Sequence, residues 1–93
     1  DIDFFIPYEE DVDKVKGVVS EILTEDEIVL EKPAPRVVID KLSLGYMEMK
    51  ARFWVERKHA LTGRWGLNEK IKSRFDEEGI KMASPRMEIN QFA

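Results

Sequence analysis

Trp65-Gly66-Leu67-Asn68-Glu69-Lys70-Ile71-Lys72-Ser73-Arg74-Phe75-Asp76-Glu77-Glu78-Gly79-Ile80 reads as one amphipathic helix with a defined stop. Leu67, Ile71 and Phe75 recur at four-residue spacing and Arg64 and Glu78 extend the line, so one narrow apolar stripe faces a core. Glu69, Lys70, Lys72, Ser73 and Asp76 face water. Gly79 supplies the stop, because glycine takes positive φ without a Cβ clash, and Ile80 follows where a Schellman turn brings it against Phe75. Further on, Met87-Glu88-Ile89-Asn90-Gln91-Phe92 alternates as a strand.

Upstream of that helix, Met47, Met49, Ala51, Phe53 and Val55 alternate with Glu48, Lys50, Arg52, Trp54 and Glu56, which predicts a strand with Trp54 on its charged side. Val37 and Ile39 alternate with Arg36, Val38 and Asp40 as the strand before it. Ser43-Leu44-Gly45 is short enough to join the two as an antiparallel hairpin. At the start, Ile2, Phe4, Ile6 and Tyr8 alternate with Asp3, Phe5 and Pro7. Asp11 can then cap a helix whose apolar stripe is Val12, Val15, Val19 and Ile22, flanked by Val18 and Leu23. Gly17 costs that helix about 1 kcal/mol relative to alanine. The short segment Ile28-Val29-Leu30 leads into Lys32-Pro33-Ala34-Pro35, where proline bars helix.

The order strand, helix, strand, strand, helix, strand predicts an α+β chain: a ferredoxin-like two-layer sandwich with helices on one face of an antiparallel sheet. Residues 1–93 form one domain, with a core over residues 1–84 and a terminal strand over residues 85–93. The absence of cysteine excludes disulfides, thiolate zinc sites and a thiol nucleophile. No apolar run approaches the ~20 residues that cross a bilayer, and the start Asp1-Ile2-Asp3 has neither methionine nor a signal pattern. The chain reads as a soluble piece of something longer. Charge is uneven: residues 1–40 carry twelve acids against four bases, residues 41–93 seven against eleven. One copy's acidic side could therefore meet another's basic side, although both read more simply as solvated faces of a soluble protein.

No catalytic constellation emerges. His59 is the single histidine, which leaves no His pair for a metal and no visible partner for a triad. Glu9, Glu10, Asp11 and Asp13 match no calcium-loop spacing and fit the first turn of a helix, where the dipole favours carboxylates. Thr62-Gly63-Arg64-Trp65-Gly66 lacks both phosphate-loop spacings and reads as a flexible lead into the second helix. The third strand does not match the RNA-binding signature and the net charge is −4, so no nucleic-acid partner is expected. No cofactor is expected either. An ACT-like ligand-binding regulatory domain shares the same element order and is the second reading, though Pro7-Tyr8-Glu9-Glu10-Asp11 stands where a glycine-rich loop would support it.

Three patches, in order, resemble the small-conductance mechanosensitive ion channel (MscS) family, in the C-terminal domain below its membrane pore. They are Phe4-Phe5-Ile6-Pro7-Tyr8-Glu9-Glu10-Asp11-Val12-Asp13-Lys14-Val15, then Met49-Lys50-Ala51-Arg52-Phe53-Trp54, then the run from Trp65 through Ser84-Pro85-Arg86-Met87-Glu88-Ile89. The resemblance implies a non-enzymatic assembly domain of a homoheptameric channel in the cell membrane, which releases ions and osmolytes under tension. This piece would lie on the cytoplasmic side, in a hollow cage, and would not conduct by itself. It also implies that the last strand joins other subunits' copies in a small parallel barrel, with a fourth strand of the domain's own sheet as the alternative. Phe5 and Trp54, outward-facing aromatics, and Met87 and Ile89 on the last strand are the candidate subunit-interface residues.

Overall fold

Alternating apolar residues on two strands far apart in sequence set the middle of the sheet. In the computed structural model, which describes residues 1–83, β1 (Ile2–Ile6) pairs antiparallel with β3 (Tyr46–Arg52). The register places Ile2 opposite Ala51, Phe4 opposite Met49 and Ile6 opposite Met47. All six are buried and form one inward row. On the other side of β3, β2 (Arg36–Ser43) joins by the expected hairpin, giving the order β1-β3-β2. Gly45, at φ 85°, makes that turn.

Two helices cover the inward face. Asp11 caps α1 (Val12–Glu25), its Oδ1 accepting from the backbone N–H groups of Asp13 and Lys14 at 2.9 and 3.3 Å. Val15, Val18, Val19, Ile22 and Leu23 are buried from it. α2 (Ala60–Glu78) buries Leu67, Ile71 and Phe75, and the Phe75 ring meets Phe4 edge to face at 5.8 Å between centroids. The helices run antiparallel. Lys14 Nζ donates to the Glu78 carbonyl at 2.8 Å at one end, and Lys70 Nζ to Asp26 Oδ2 at 2.6 Å at the other. The first of these is the hairpin end, where the Tyr8 hydroxyl also donates to the Ser43 carbonyl at 2.5 Å; the second is the far end. This α+β arrangement is that of a ferredoxin-like sandwich.

The stop of α2 has the expected form. Gly79 sits at φ 69°, Ile80 N–H donates to the Phe75 carbonyl at 2.8 Å, and Ile80 is buried. Ala83 N–H donates to the Phe5 carbonyl at 2.8 Å, which brings the chain back against the outer edge of β1. The strand expected over residues 85–93 lies outside the described residues.

β1 ends just before Pro7, where proline closes the strand, and Tyr8 beyond it is 47% exposed. Other boundaries differ from the sequence reading. β3 ends at Arg52 rather than continuing to Val55, which instead forms an isolated bridge with Val29, while Leu30 N–H donates to the Trp54 carbonyl at 2.8 Å. β2 is bulged between Ile39 and Lys41, and as an edge strand it leaves Ile39 37% exposed. α2 starts at Ala60, behind a 3-10 turn at Arg57–His59, so the glycine-bearing lead is helix. Arg64 and Glu78 are exposed, and the buried line at four-residue spacing is Gly63, Leu67, Ile71, Phe75.

Gly17 and Gly79 therefore respond oppositely to one substitution. Gly17 is helical with nothing within 4 Å of an added Cβ, so Gly17→Ala should stabilise by about 0.4–1 kcal/mol. Gly79→Ala should destabilise by about 1 kcal/mol or more, because its φ is left-handed. Urea midpoints decide both: an unchanged midpoint for Gly79→Ala would remove the Schellman turn as a source of stability.

Candidate interaction surface

No polar or charged residue is buried as a whole among the described residues; the most enclosed charged side chain, Asp26 at 8% exposed, is held by Lys70 Nζ at 2.6 Å and Ile28 N–H at 3.0 Å, so the chemistry the domain offers lies on its surface. The acidic residues at the start of α1 are engaged with backbone: Asp11 caps the helix, and Glu10 Oε1 accepts from Lys81 N–H at 3.2 Å. Within 62–66, Arg64, Trp65 and Gly66 sit in the second turn of α2, where their N–H groups belong to the helix ladder and are not free to bind an anion.

The sheet face away from the helices is charged at one end and aromatic at the other. Toward the far end, Arg36, Val38, Asp40, Lys50 and Arg52 line a shallow basin of about 230 Å³. Arg36 stands opposite Arg52, a repulsive placement on neighbouring strands. Carboxylates on the same face offset it: Lys50 is 3.8 Å from both Asp3 and Asp40, and Arg52 is 3.5 Å from Asp1. Toward the hairpin end, Phe5 packs edge to face on Tyr46 at 5.4 Å.

Phe5 is half-buried by that contact, while Trp54 is 38% exposed. Phe5 pairs with Glu48 within β3, whereas Trp54 lies beyond the end of that strand at Arg52, so the two aromatics sit toward opposite ends of the sheet and do not form one patch. Met87 and Ile89 lie outside the described residues.

Residues not singled out from the sequence carry more exposed apolar surface. Leu61 and Trp65, one turn apart at the start of α2, are 56% and 57% exposed. At the hairpin, Leu42 and Leu44 are 66% and 89% exposed. The signal for Leu61 and Trp65 was their own four-residue spacing, off the line of Leu67 and Ile71. That spacing becomes a helix face only because α2 starts at Ala60, ahead of the expected start.

Gly63 is the other omission. It is buried in α2, and a Cβ there would come within 2.3 Å of Ile28 Cδ1, so the loop after α1 crosses the helix where a side chain is missing. Gly66, one turn on, has open space. We expect Gly63→Leu to destabilise by about 1–3 kcal/mol through overpacking, and Gly66→Ala to stabilise by up to about 1 kcal/mol. Chemical denaturation of the pair checks this; a neutral Gly63→Leu would mean the Ile28 loop yields freely.

The family model described as "Mechanosensitive ion channel MscS, C-terminal" matches residues 1–82. An uncharacterised MscS family protein of Synechocystis sp. is 27% identical over 85 residues, covering 91% of this chain and 29% of that protein. The chain thus spans less than a third of the length of the curated relative it matches. Among the described residues no helix is long and apolar enough to cross a membrane.

Proposed function

Because this chain belongs to the C-terminal domain family of the MscS mechanosensitive ion channels, we propose that it serves as the subunit-assembly domain of a tension-gated channel. The observation that carries this reading is the family match over residues 1–82, which takes in the whole described sandwich apart from Ala83. It points to a part of a channel rather than to an enzyme. In this reading the domain sits on the cytoplasmic side of the membrane. Seven copies form a cage through which ions and osmolytes pass when bilayer tension opens the pore, and the pore itself is built by segments outside these residues. The surface supports an assembly role, since Trp54, Leu61, Trp65, Leu42 and Leu44 are large apolar groups left in water. Met87 and Ile89 belong to the strand proposed to join neighbouring subunits, with Phe5 and Trp54 as further contacts.

The test is the full-length parent in membrane patches under suction. We expect stepwise currents that rise with tension; a membrane that ruptures without any tension-dependent conductance would overturn the reading. A second measurement addresses the terminal strand. Deleting residues 86–93 should leave a cooperative melting curve and an unchanged circular dichroism spectrum for residues 1–83, since Phe4, Met49, Leu67 and Phe75 are buried without them. Loss of cooperative unfolding would place that strand in the domain's own sheet.

A further inference from the structure

We propose that residues 81–83 form a strap across the outer edge of β1, and that Glu10, just ahead of α1, is the positioning residue that holds it shut. The strap goes beyond the assembly role above and does not depend on it.

Among the described residues β1 has β3 on one side only. In an antiparallel ladder alternate residues turn their N–H and C=O groups to opposite sides. Phe5, whose carbonyl accepts from Ala83 N–H at 2.8 Å, and Asp3 therefore turn their backbone groups to the outer edge. An edge of this kind is a template for any strand that reaches it. With Ala83 on the Phe5 carbonyl, an incoming strand has first to lift the strap.

Burial does not hold the strap down. Gly79, in the left-handed region, turns the chain out of α2, and Ile80, 5% exposed, anchors it in the core. Beyond that anchor Lys81 and Met82 are exposed and Ala83 is half-buried. Two backbone donors two residues apart do the holding: Lys81 N–H on Glu10 Oε1 at 3.2 Å and Ala83 N–H on the Phe5 carbonyl. The first has a carboxylate as acceptor, the stronger kind of hydrogen bond. Of the acids at the start of α1, Glu10 is the one that reaches the strap, while Asp11 caps its own helix. From the first turn of α1, Lys14 donates from Nζ to the Glu78 carbonyl at 2.8 Å and fixes the point from which the strap departs. Because a single residue, Met82, separates the two latches, they open together: releasing Glu10 also frees Ala83, although the Phe5 carbonyl is untouched.

Amide hydrogen exchange on the whole chain reads this directly, at Lys81 and Ala83 against Ile71 and Phe75 inside α2. Glu10→Ala should speed exchange at both strap amides by roughly three- to tenfold and leave the two helix amides within about a factor of two. Glu10→Gln keeps an oxygen at the same reach and should restore most of the protection. Ala83→Pro deletes the donor to Phe5 and should speed exchange at Lys81 too. Limited trypsin digestion should give the same order, cutting after Lys81 faster in Glu10→Ala and Ala83→Pro than in the parent or Glu10→Gln. Faster exchange at Lys81 alone in Glu10→Ala would make the two bonds independent and overturns the strap. Equal losses in Glu10→Gln and Glu10→Ala overturn the role of the Glu10 oxygen as its latch. Acceleration at Ile71 and Phe75 in step with the strap amides overturns it as well, by making Glu10 a contributor to the stability of the whole domain. None of these results bears on the channel reading, which the patch recordings decide.

Discussion

The pairing of β1 with β3 is the constraint on which the rest of the domain depends. Ile2, Phe4 and Ile6 meet Ala51, Met49 and Met47 across the ladder, and both strands bury one face only. A slip of one residue would turn Phe4 to solvent and Asp3 and Phe5 to the core, so the alternation fixes the register more firmly than the backbone bonds do. From that row the helices take their positions. Phe75 docks its ring edge to face with Phe4, Gly79 ends α2 just beyond it, and Ala83 returns to the Phe5 carbonyl.

The fold was legible wherever one physical rule acted alone. Strand alternation, the Asp11 cap, the α1 stripe and the glycine stop of α2 each read correctly because local chemistry and tertiary burial asked for the same residue. The reading failed where they diverged. His59 offers no capping bond and two glycines interrupt the first turns of α2, so nothing local announced a start at Ala60; packing against Ile28 explains Gly63, and no neighbour in sequence reports Ile28. β3 stopped early because Val55 was taken up by a bridge to Val29, a contact between segments far apart in the chain. Of the candidate interface, Phe5 and Trp54 were identified by outward parity, which says which face a residue occupies but not how far along it. Their separation follows only from the register.

No residue of the described interior is polar as a whole, and the ion pairs lie at the surface, where such pairs contribute little to stability, except that of Lys70 with Asp26, whose side chain is only 8% exposed. Stability and interaction are thereby separated. The row of buried aliphatic and aromatic side chains holds the sandwich, while charge is confined to its outside, where Lys14 meets the last carbonyl of α2 and Lys72 and Arg74 pair with Asp76 and Glu78.

The bulge in β2 bears on how length varies in such a domain. Asp40 has no partner on β3: Ile39 faces Met49, Lys41 faces Glu48 and Leu42 faces Met47. Removing Asp40 from this strand would leave an unbroken ladder with every one of those pairs intact, at the loss of one surface ion pair to Lys50. Elsewhere in the strand a deletion inverts all residues beyond it. Position 40 is thus a seam at which this strand can lose one residue and keep the same inside and outside.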